Sequence, residues 1–179
     1  MTATEPWQTA EIAGPKKALV ITKPEVVTGL IGRARRKILI VGHRVAEKEP
    51  NGYLPFGDIV GISEAGRIPI VATGIAANAF KNLSTPVHQM SAVEIVGRIS
   101  DPRWRGLDGN GSYDLALFTG FAYYVEWLML STLKHFSKNI LSISLNRYYQ
   151  PNASWSFSNI SVDDWRRNMN TIASKLRSE

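Results

Sequence analysis

The residues best placed to bind a ligand stand directly after three predicted strands, each of which ends in glycine or a small residue. Small residues at such positions let a ligand or another backbone approach the strand ends closely. In open α/β sheets, ligands bind beyond the carboxyl ends of the strands. These positions therefore form a candidate cofactor site, with the residues Gly42, His43, Thr73, Gly74, Gly120 and Phe121.

Residues suited to catalysis are scarce. The chain has no cysteine, which excludes disulfides, thiolate nucleophiles and cysteine-held iron–sulfur clusters. Its three histidines (His43, His88 and His135) do not have metal-ligand spacing, so we expect no metal centre. Asp108 and Asp114 flank turns, where carboxylates usually accept nearby backbone N–H groups. There is no GxGxxG fingerprint and no phosphate-binding loop. We expect no catalytic residue, and a binding or structural subunit rather than an enzyme.

Apolar periodicity predicts alternating strands and helices that position the candidate site. Strands are predicted at residues 38–41, 68–72, 115–119 and 141–145, with a further short strand or docking segment at 18–22. Helices are predicted at 24–36, 56–65, 75–81, 90–99, 123–136 and 163–176, with Gly66 closing the second and Ser161 capping the last. The fold class is therefore α/β, with a single doubly wound, mostly parallel, Rossmann-like sheet and helices on both faces.

The loop at residues 101–114 is rich in residues that favour tight turns. Pro102 fixes φ and the segment Asp108-Gly109-Asn110-Gly111 favours tight turns, so we expect an ordered loop. Ordered long loops usually serve a site. Arg103, Trp104 and Arg105 have residue types that dominate interface energetics, and they are the predicted interface. The alternative is that Trp104, Trp155 and Phe157 cover the core from loops, and both interpretations stay open.

Two blocks of residues are similar to the epsilon subunit of the archaeal acetyl-CoA decarbonylase/synthase complex. The first comprises Asp101-Pro102-Arg103-Trp104, Gly106 to Gly111, Tyr113-Asp114 and Gly120-Phe121. The second comprises Tyr149-Gln150, Asn152-Ala153, Ser156-Phe157, Asn159 and Ser161. The resemblance extends roughly from Pro24 to the C-terminus. Arg105 stands where proline is expected, and the insert at 50–57 has no counterpart.

The resemblance implies a non-catalytic subunit that binds the carbon monoxide dehydrogenase alpha subunit as an α2ε2 unit and stabilises it. It also implies a role in passing electrons to FAD. This chain could serve that role only by binding the flavin, since it offers no metal ligands of its own. Residues 64–74 also resemble the central domain of thiamine-diphosphate enzymes, some of which hold a flavin or nucleotide; that likeness predicts fold and not function.

Composition is that of an ordinary globular protein. With 179 residues, 44% of them hydrophobic and 20% charged, we expect an N-terminal arm with an edge segment (1–23) and one α/β domain (24–179). The formal charge is +6, but basic residues are scattered among acidic ones and no nucleic-acid-binding motif is present. An acidic protein partner explains the charge as well as nucleic acid would, and we expect no nucleic acid.

The longest apolar run, residues 115–133, does not predict a membrane helix. Gly120, Tyr123, Tyr124 and Glu126 interrupt it, which favours a strand, a glycine turn and a helix. The N-terminus lacks the basic start and apolar run of a signal peptide. We expect no membrane association and a cytoplasmic location.

Three functions from different classes remain open from the sequence. The first is the epsilon subunit that the resemblance implies. The second is a free-standing flavin- or nucleotide-binding α/β protein, and the third is a nucleic-acid-binding domain. Co-purification with a large nickel–iron partner would favour the first, and a yellow monomer the second.

Overall fold

A computed structural model describes residues 16–49, 51–80, 85–137 and 139–178 as one parallel α/β sandwich. Within these residues the sheet has seven strands in the order β1-β7-β6-β5-β2-β3-β4, and every pairing is parallel. The strands are β1 (Leu19–Val20), β2 (Lys37–Val41), β3 (Ile70–Thr73), β4 (Val87–Met90), β5 (Leu115–Thr119), β6 (Leu141–Ser144) and β7 (Trp155–Ser156). The α-helices are α1 (Glu25–Arg33), α2 (Phe56–Gly66), α3 (Ala92–Ser100), α4 (Tyr123–Phe136) and α5 (Val162–Ser178).

The central strands are buried on both faces, which explains their continuous apolar sequence. Neighbouring residues of a strand point to opposite sides, so Leu39 packs in the core beneath α1, α2 and α5, whereas Ile40 packs beneath α3 and α4. Helices therefore cover both faces, as predicted.

Strands β2 and β5 pair in the middle of the sheet, with Lys37 opposite Leu115 and Val41 opposite Thr119. From β2 the chain builds β3 and β4 to one side, and then crosses back to build β5, β6 and β7 on the other. The turns that follow β2 and β5 therefore meet at the topological switch point of the sheet, where ligands bind in many open α/β folds.

Helix α1 ends earlier than predicted because of a long-range contact. The prediction continued the helix to Arg36, but the carboxylate of Asp114 accepts the backbone N–H groups of Arg35 and Arg36, each at 2.9 Å. These bonds hold the two residues against the start of β5. The helix therefore stops at Arg33.

The end of α2 also differs from the prediction. Gly66 is the last helical residue, and Arg67 is the C-cap, with a left-handed φ of 50°. Glycine is needed at position 66 for a different reason, since a Cβ there would lie 2.8 Å from the Ile68 side chain. At the other end of the chain, Ser161 does cap α5, accepting the Asp164 N–H at 3.1 Å.

Three segments were predicted wrongly or missed. Residues 87–90 were predicted as loop and helix start, but they form edge strand β4, which is only partly buried. Trp155 lies in β7 and not in a loop, whereas Phe157 directly follows β7 and is buried in the core beneath α1, α2 and α5. The predicted helix at 75–81 is a tighter 3₁₀ helix, Gly74–Phe80. Residues 1–15 of the predicted arm, and Lys81, lie outside the described residues.

Residues 51–57 of the unmatched insert pack against α5. Asn51 Nδ2 donates to Asp163 Oδ1 at 2.8 Å, and the Tyr53 ring meets Trp165 edge-on with centroids 5.5 Å apart. The Tyr53 hydroxyl donates to Asp58 at 2.6 Å, and burial raises the pKa of Tyr53 well above its ordinary value. The insert is thus part of the fold.

Two substitutions at Tyr53 separate its packing from its hydrogen bond. Tyr53→Phe is expected to lower the free energy of unfolding by about 1 kcal/mol, the usual contribution of one hydrogen bond. Tyr53→Ala, which empties a buried aromatic site, is expected to lower it by about 3–5 kcal/mol. Urea unfolding monitored by circular dichroism measures both. A loss under 1 kcal/mol for Tyr53→Ala would show that the insert does not stabilise the fold.

Candidate functional site

The turns after β2 and β5 contact each other at the centre of the carboxyl edge of the sheet. Arg44 N donates to the Gly120 carbonyl at 2.9 Å, and Gly42 N donates to Thr119 O at 2.9 Å. A Cβ on Gly42 would lie 2.2 Å from Gly120 O, and a Cβ on Gly120 would lie 2.3 Å from Val45 Cγ1. Both glycines are therefore required by the packing of the turns, and the space between them is filled by the chain itself.

The other predicted site residues differ in how open their surroundings are. Phe121 is buried, while His43 is half-exposed, with Nε2 3.6 Å from Glu47 Oε1. The Thr73 hydroxyl donates to the carbonyl that ends β2, at 3.2 Å. Around Gly74, no heavy atom lies within 4 Å of an added Cβ. The structure thus groups Gly42, His43, Gly120 and Phe121, and it places Thr73 and Gly74 one strand away.

A cavity of about 170 Å³ lies beside this contact, beyond the ends of β5 and β6. Gly120 and Phe121 line it together with Gln150, and the Arg147 guanidinium stacks over the Tyr148 ring at its rim, 4.1 Å from the centroid. Sites for drug-sized ligands usually measure about 300–1,000 Å³. This cavity could therefore enclose only part of a flavin nucleotide.

A buried polar network supports the Gly120 turn. Asn146 Oδ1 accepts the Gly120 N–H at 3.0 Å, and Asn146 Nδ2 donates to the carboxylate of Glu126 on α4. Glu126 is fully buried. Burial raises the pKa of Glu126 to about 7, and the hydrogen bond from Asn146 opposes that shift without cancelling it.

The sequence analysis missed the role of Glu126 and treated it only as an interruption of an apolar run. A signal was present: Met129, Leu130 and Leu133 follow it at spacings of three, four and seven residues, and all are buried. That spacing places Glu126 on the buried face of the helix. No spacing in the sequence indicated Asn146 as its partner.

Two glycine substitutions test whether close packing constrains the carboxyl edge. Gly74 and Gly120 both have left-handed φ, 57° and 73°, but only Gly120 is surrounded by other atoms. Gly74→Ala is expected to lower the free energy of unfolding by about 1–2 kcal/mol, because alanine is strained at a left-handed φ. Gly120→Ala adds steric overlap, for a total of roughly 2–5 kcal/mol. Equal losses in chemical denaturation would contradict the close contact with Val45.

The ionisation of Glu126 is expected to make stability depend on pH. Its carboxyl has an ordinary pKa of 4.5 in the unfolded chain and about 7 in the fold, so the folded state holds the proton more tightly. Stability is therefore full below pH 4.5 and falls as the pH rises through 7, by roughly 3 kcal/mol in total. Glu126→Gln removes this dependence. Unfolding measured from pH 5 to 8 should diverge for the two proteins, with exposed Glu47→Gln as the control; parallel profiles would refute the assignment.

The loop at 101–114 lies at the opposite, amino edge of the sheet. The Arg36 guanidinium binds the Asp108 carboxylate at 2.5 and 3.2 Å, and the Tyr113 hydroxyl accepts the Leu107 N–H at 3.2 Å. The hydrogen bond from Arg36 holds the pKa of Asp108 well below its ordinary value. Asp108 and Asp114 both accept backbone N–H groups, as residues that stabilise turns do. The loop is therefore ordered by contacts within the chain.

The three predicted interface residues have different surroundings in this loop. Trp104 is partly buried and packs on the core beneath α3 and α4. Its ring centroid lies 5.7 Å from that of Tyr113. The Arg103 side chain is 91% exposed, and Arg105 is exposed. Trp104 thus contributes to the fold, while the two arginines are accessible to a partner.

The described part of the chain contains no group of three or more His, Cys, Asp or Glu side chains that could hold a metal ion. None of its helices combines the length and the apolar character needed to cross a bilayer.

The parallel sheet, with glycine turns at its single switch point, defines a Rossmann-like α/β protein. Comparison with known proteins gives the family. A family model described as CO dehydrogenase beta subunit/acetyl-CoA synthase epsilon subunit matches residues 1–173, and the chain belongs to this family.

Similar proteins include three named as epsilon subunits of the acetyl-CoA decarbonylase/synthase complex. The one from Methanothermobacter thermautotrophicus is 35% identical over 162 residues, 90% of each chain. The one from Methanothrix soehngenii is 31% identical over 96% of this chain and 91% of its own. Epsilon 1 from Archaeoglobus fulgidus is 37% identical over 86% of this chain and 81% of its own.

Proposed function

We propose that this chain is an accessory subunit of an archaeal acetyl-CoA decarbonylase/synthase complex, where it binds and stabilises the carbon monoxide dehydrogenase alpha subunit. The observation that carries the proposal is similarity along nearly the whole chain to proteins named as epsilon subunits of that complex. In one of these pairs the similarity covers 90% of each chain, so it is not confined to one short segment.

The chemistry of the chain supports an accessory role. Carbon monoxide dehydrogenases work with metal clusters, and the chain has no cysteine to hold an iron–sulfur cluster. The Glu126 carboxyl, whose pKa is raised by burial, is enclosed by the fold and engaged with Asn146. In this proposal the partner subunits carry out carbon monoxide oxidation and the synthesis or cleavage of acetyl-CoA.

Surface charge supports binding to an acidic protein surface. The formal charge is +6, and Arg103 and Arg105 are exposed beside the partly buried Trp104. Guanidinium groups beside an aromatic side chain suit a partner surface with carboxylates. An α2ε2 assembly, which the sequence resemblance implies, is the stoichiometry we propose.

A role in electron transfer to FAD forms a second part of the proposal. Because the chain fills the space between Gly42 and Gly120, a flavin would lie over the open positions His43 and Gly74. Titration of the chain with FAD, followed by flavin fluorescence, tests this placement. Gly74→Val is expected to abolish binding, and unchanged affinity would exclude that position.

The partner assay measures association and stability together. The chain is mixed with the carbon monoxide dehydrogenase alpha subunit of the same organism, and light scattering is expected to show an α2ε2 species. Trp104→Ala is expected to weaken association by roughly 2 kcal/mol or more, the scale for truncating a central anchor. It should also lower Tm modestly, since Trp104 packs on Tyr113.

Tyr124→Ala is the matched control, because Tyr124 is an aromatic residue 69% exposed on α4, away from the loop. It should leave association unchanged. If Trp104→Ala is destabilised but its folded fraction binds with normal affinity, the loop is not part of the interface.

A further inference from the structure

A second and larger cavity, of about 420 Å³, lies at the amino edge of the sheet. It opens between the starts of β3 and β4 on one side and the loop at 101–114 on the other. Its walls are formed by Glu64, Arg67, Pro69, Thr85, Pro86, His88, Leu107, Asp108 and Tyr113. The volume is within the range of ligand sites, yet the predicted cofactor residues all lie at the opposite edge.

The aspartates at this edge are engaged within the chain. Asp114 accepts the N–H groups of Arg35 and Arg36, Asp108 binds the Arg36 guanidinium, and Asp101 accepts the Arg103 N–H at 2.9 Å. Arg67 and Arg105, both exposed, form no ion pair with any described residue. The amino edge therefore presents two arginines that form no ion pair among the described residues, near a cavity whose wall also carries the Glu64 carboxylate.

Arg67 has an unusual backbone for its residue type. It caps α2 with a φ of 50°, a position that glycine normally occupies without strain. A side chain in that conformation is strained, because its Cβ lies too close to the following carbonyl oxygen. The Arg67 guanidinium makes no ion pair among the described residues that would offset this cost, so the fold itself gains nothing visible from arginine here.

We infer that this cavity, with Arg67 and Arg105, is the docking site for an acidic segment of the partner protein. One apolar side chain of the segment enters the cavity between Pro69, Pro86 and Leu107. Neighbouring carboxylates of the segment bind the two guanidinium groups, in the pairing that arginine favours. The inference rests on the proposed function, because the partner is the carbon monoxide dehydrogenase alpha subunit.

The lining of the cavity favours a protein segment over nucleic acid. Proline rings, Leu107 and Tyr113 offer apolar contact suited to an aliphatic or aromatic side chain. A nucleic-acid backbone has no apolar side chain to fill such a lining, whereas an acidic peptide can present an apolar side chain next to its carboxylates.

Two substitutions test the site through different properties. Arg67→Gly removes the charge and relieves the left-handed strain, so Tm should stay level or rise while the Kd for the alpha subunit increases about tenfold. That increase should shrink at high salt, because exposed charges are screened. Thr85→Trp fills the mouth of the cavity from a half-buried position and should raise Kd at least about tenfold, with little change in Tm.

Arg44→Gln is the matched control, since it removes one exposed charge at the opposite edge of the sheet. Isothermal titration of the four full-length proteins with the alpha subunit gives Kd, and calorimetric melting gives Tm. Failure of the wild-type chain to bind would overturn both the proposed function and this inference. Normal binding by Arg67→Gly and Thr85→Trp, with wild-type binding intact, would overturn the inference alone.

Two other outcomes would also overturn it. An equal loss for Arg44→Gln and Arg67→Gly would mean that only overall charge matters. Binding of duplex DNA that is lost in Arg67→Gly, with alpha-subunit affinity unchanged, would assign the edge to nucleic acid.

Discussion

The structure depends on the pairing of β2 with β5, two strands that are distant in sequence and adjacent in the centre of the sheet. Contacts at both ends fix this pairing. At the amino end, Asp114 binds the backbone that leads into β2. At the carboxyl end, the Gly42 and Gly120 turns lie against each other. Because the chain changes direction across the sheet at this pair, the position of every other strand follows from it.

The two edges of the sheet consequently differ in how much room they leave for a ligand or a partner. At the carboxyl edge, the switch point is closed by the chain's own backbone and supported by Asn146 and Glu126. At the amino edge, the loop is held by internal ion pairs, and arginine side chains and a larger cavity are left facing outwards. We propose that a fold usually associated with ligand binding here contacts another protein at the edge opposite the usual ligand site.

Local sequence predicted the elements that are buried on both faces. Residues 38–41 and 115–119 are apolar without alternation, and they became β2 and β5 almost unchanged. Edge strand β4 and the two-residue strand β7 were missed. A partly buried strand and a very short one show no regular pattern of apolar residues in the sequence. The end of α1 could not be predicted, since it is set by Asp114, and neither could the pairing of Glu126 with Asn146. At the candidate site, the turns after β2 and β5 approach Gly42 and Gly120 closely, whereas the space around Gly74 is open.

The reciprocal contact between Gly42 and Gly120 also has an evolutionary consequence. A side chain at either position would overlap atoms of the opposite turn, so a change at one is tolerated only if the other turn is rebuilt with it. The two positions should therefore vary together among descendants of a common ancestor, or not vary at all. Such a constraint would slow divergence of the switch point, while the arginines of the amino edge remain free to follow changes in a partner.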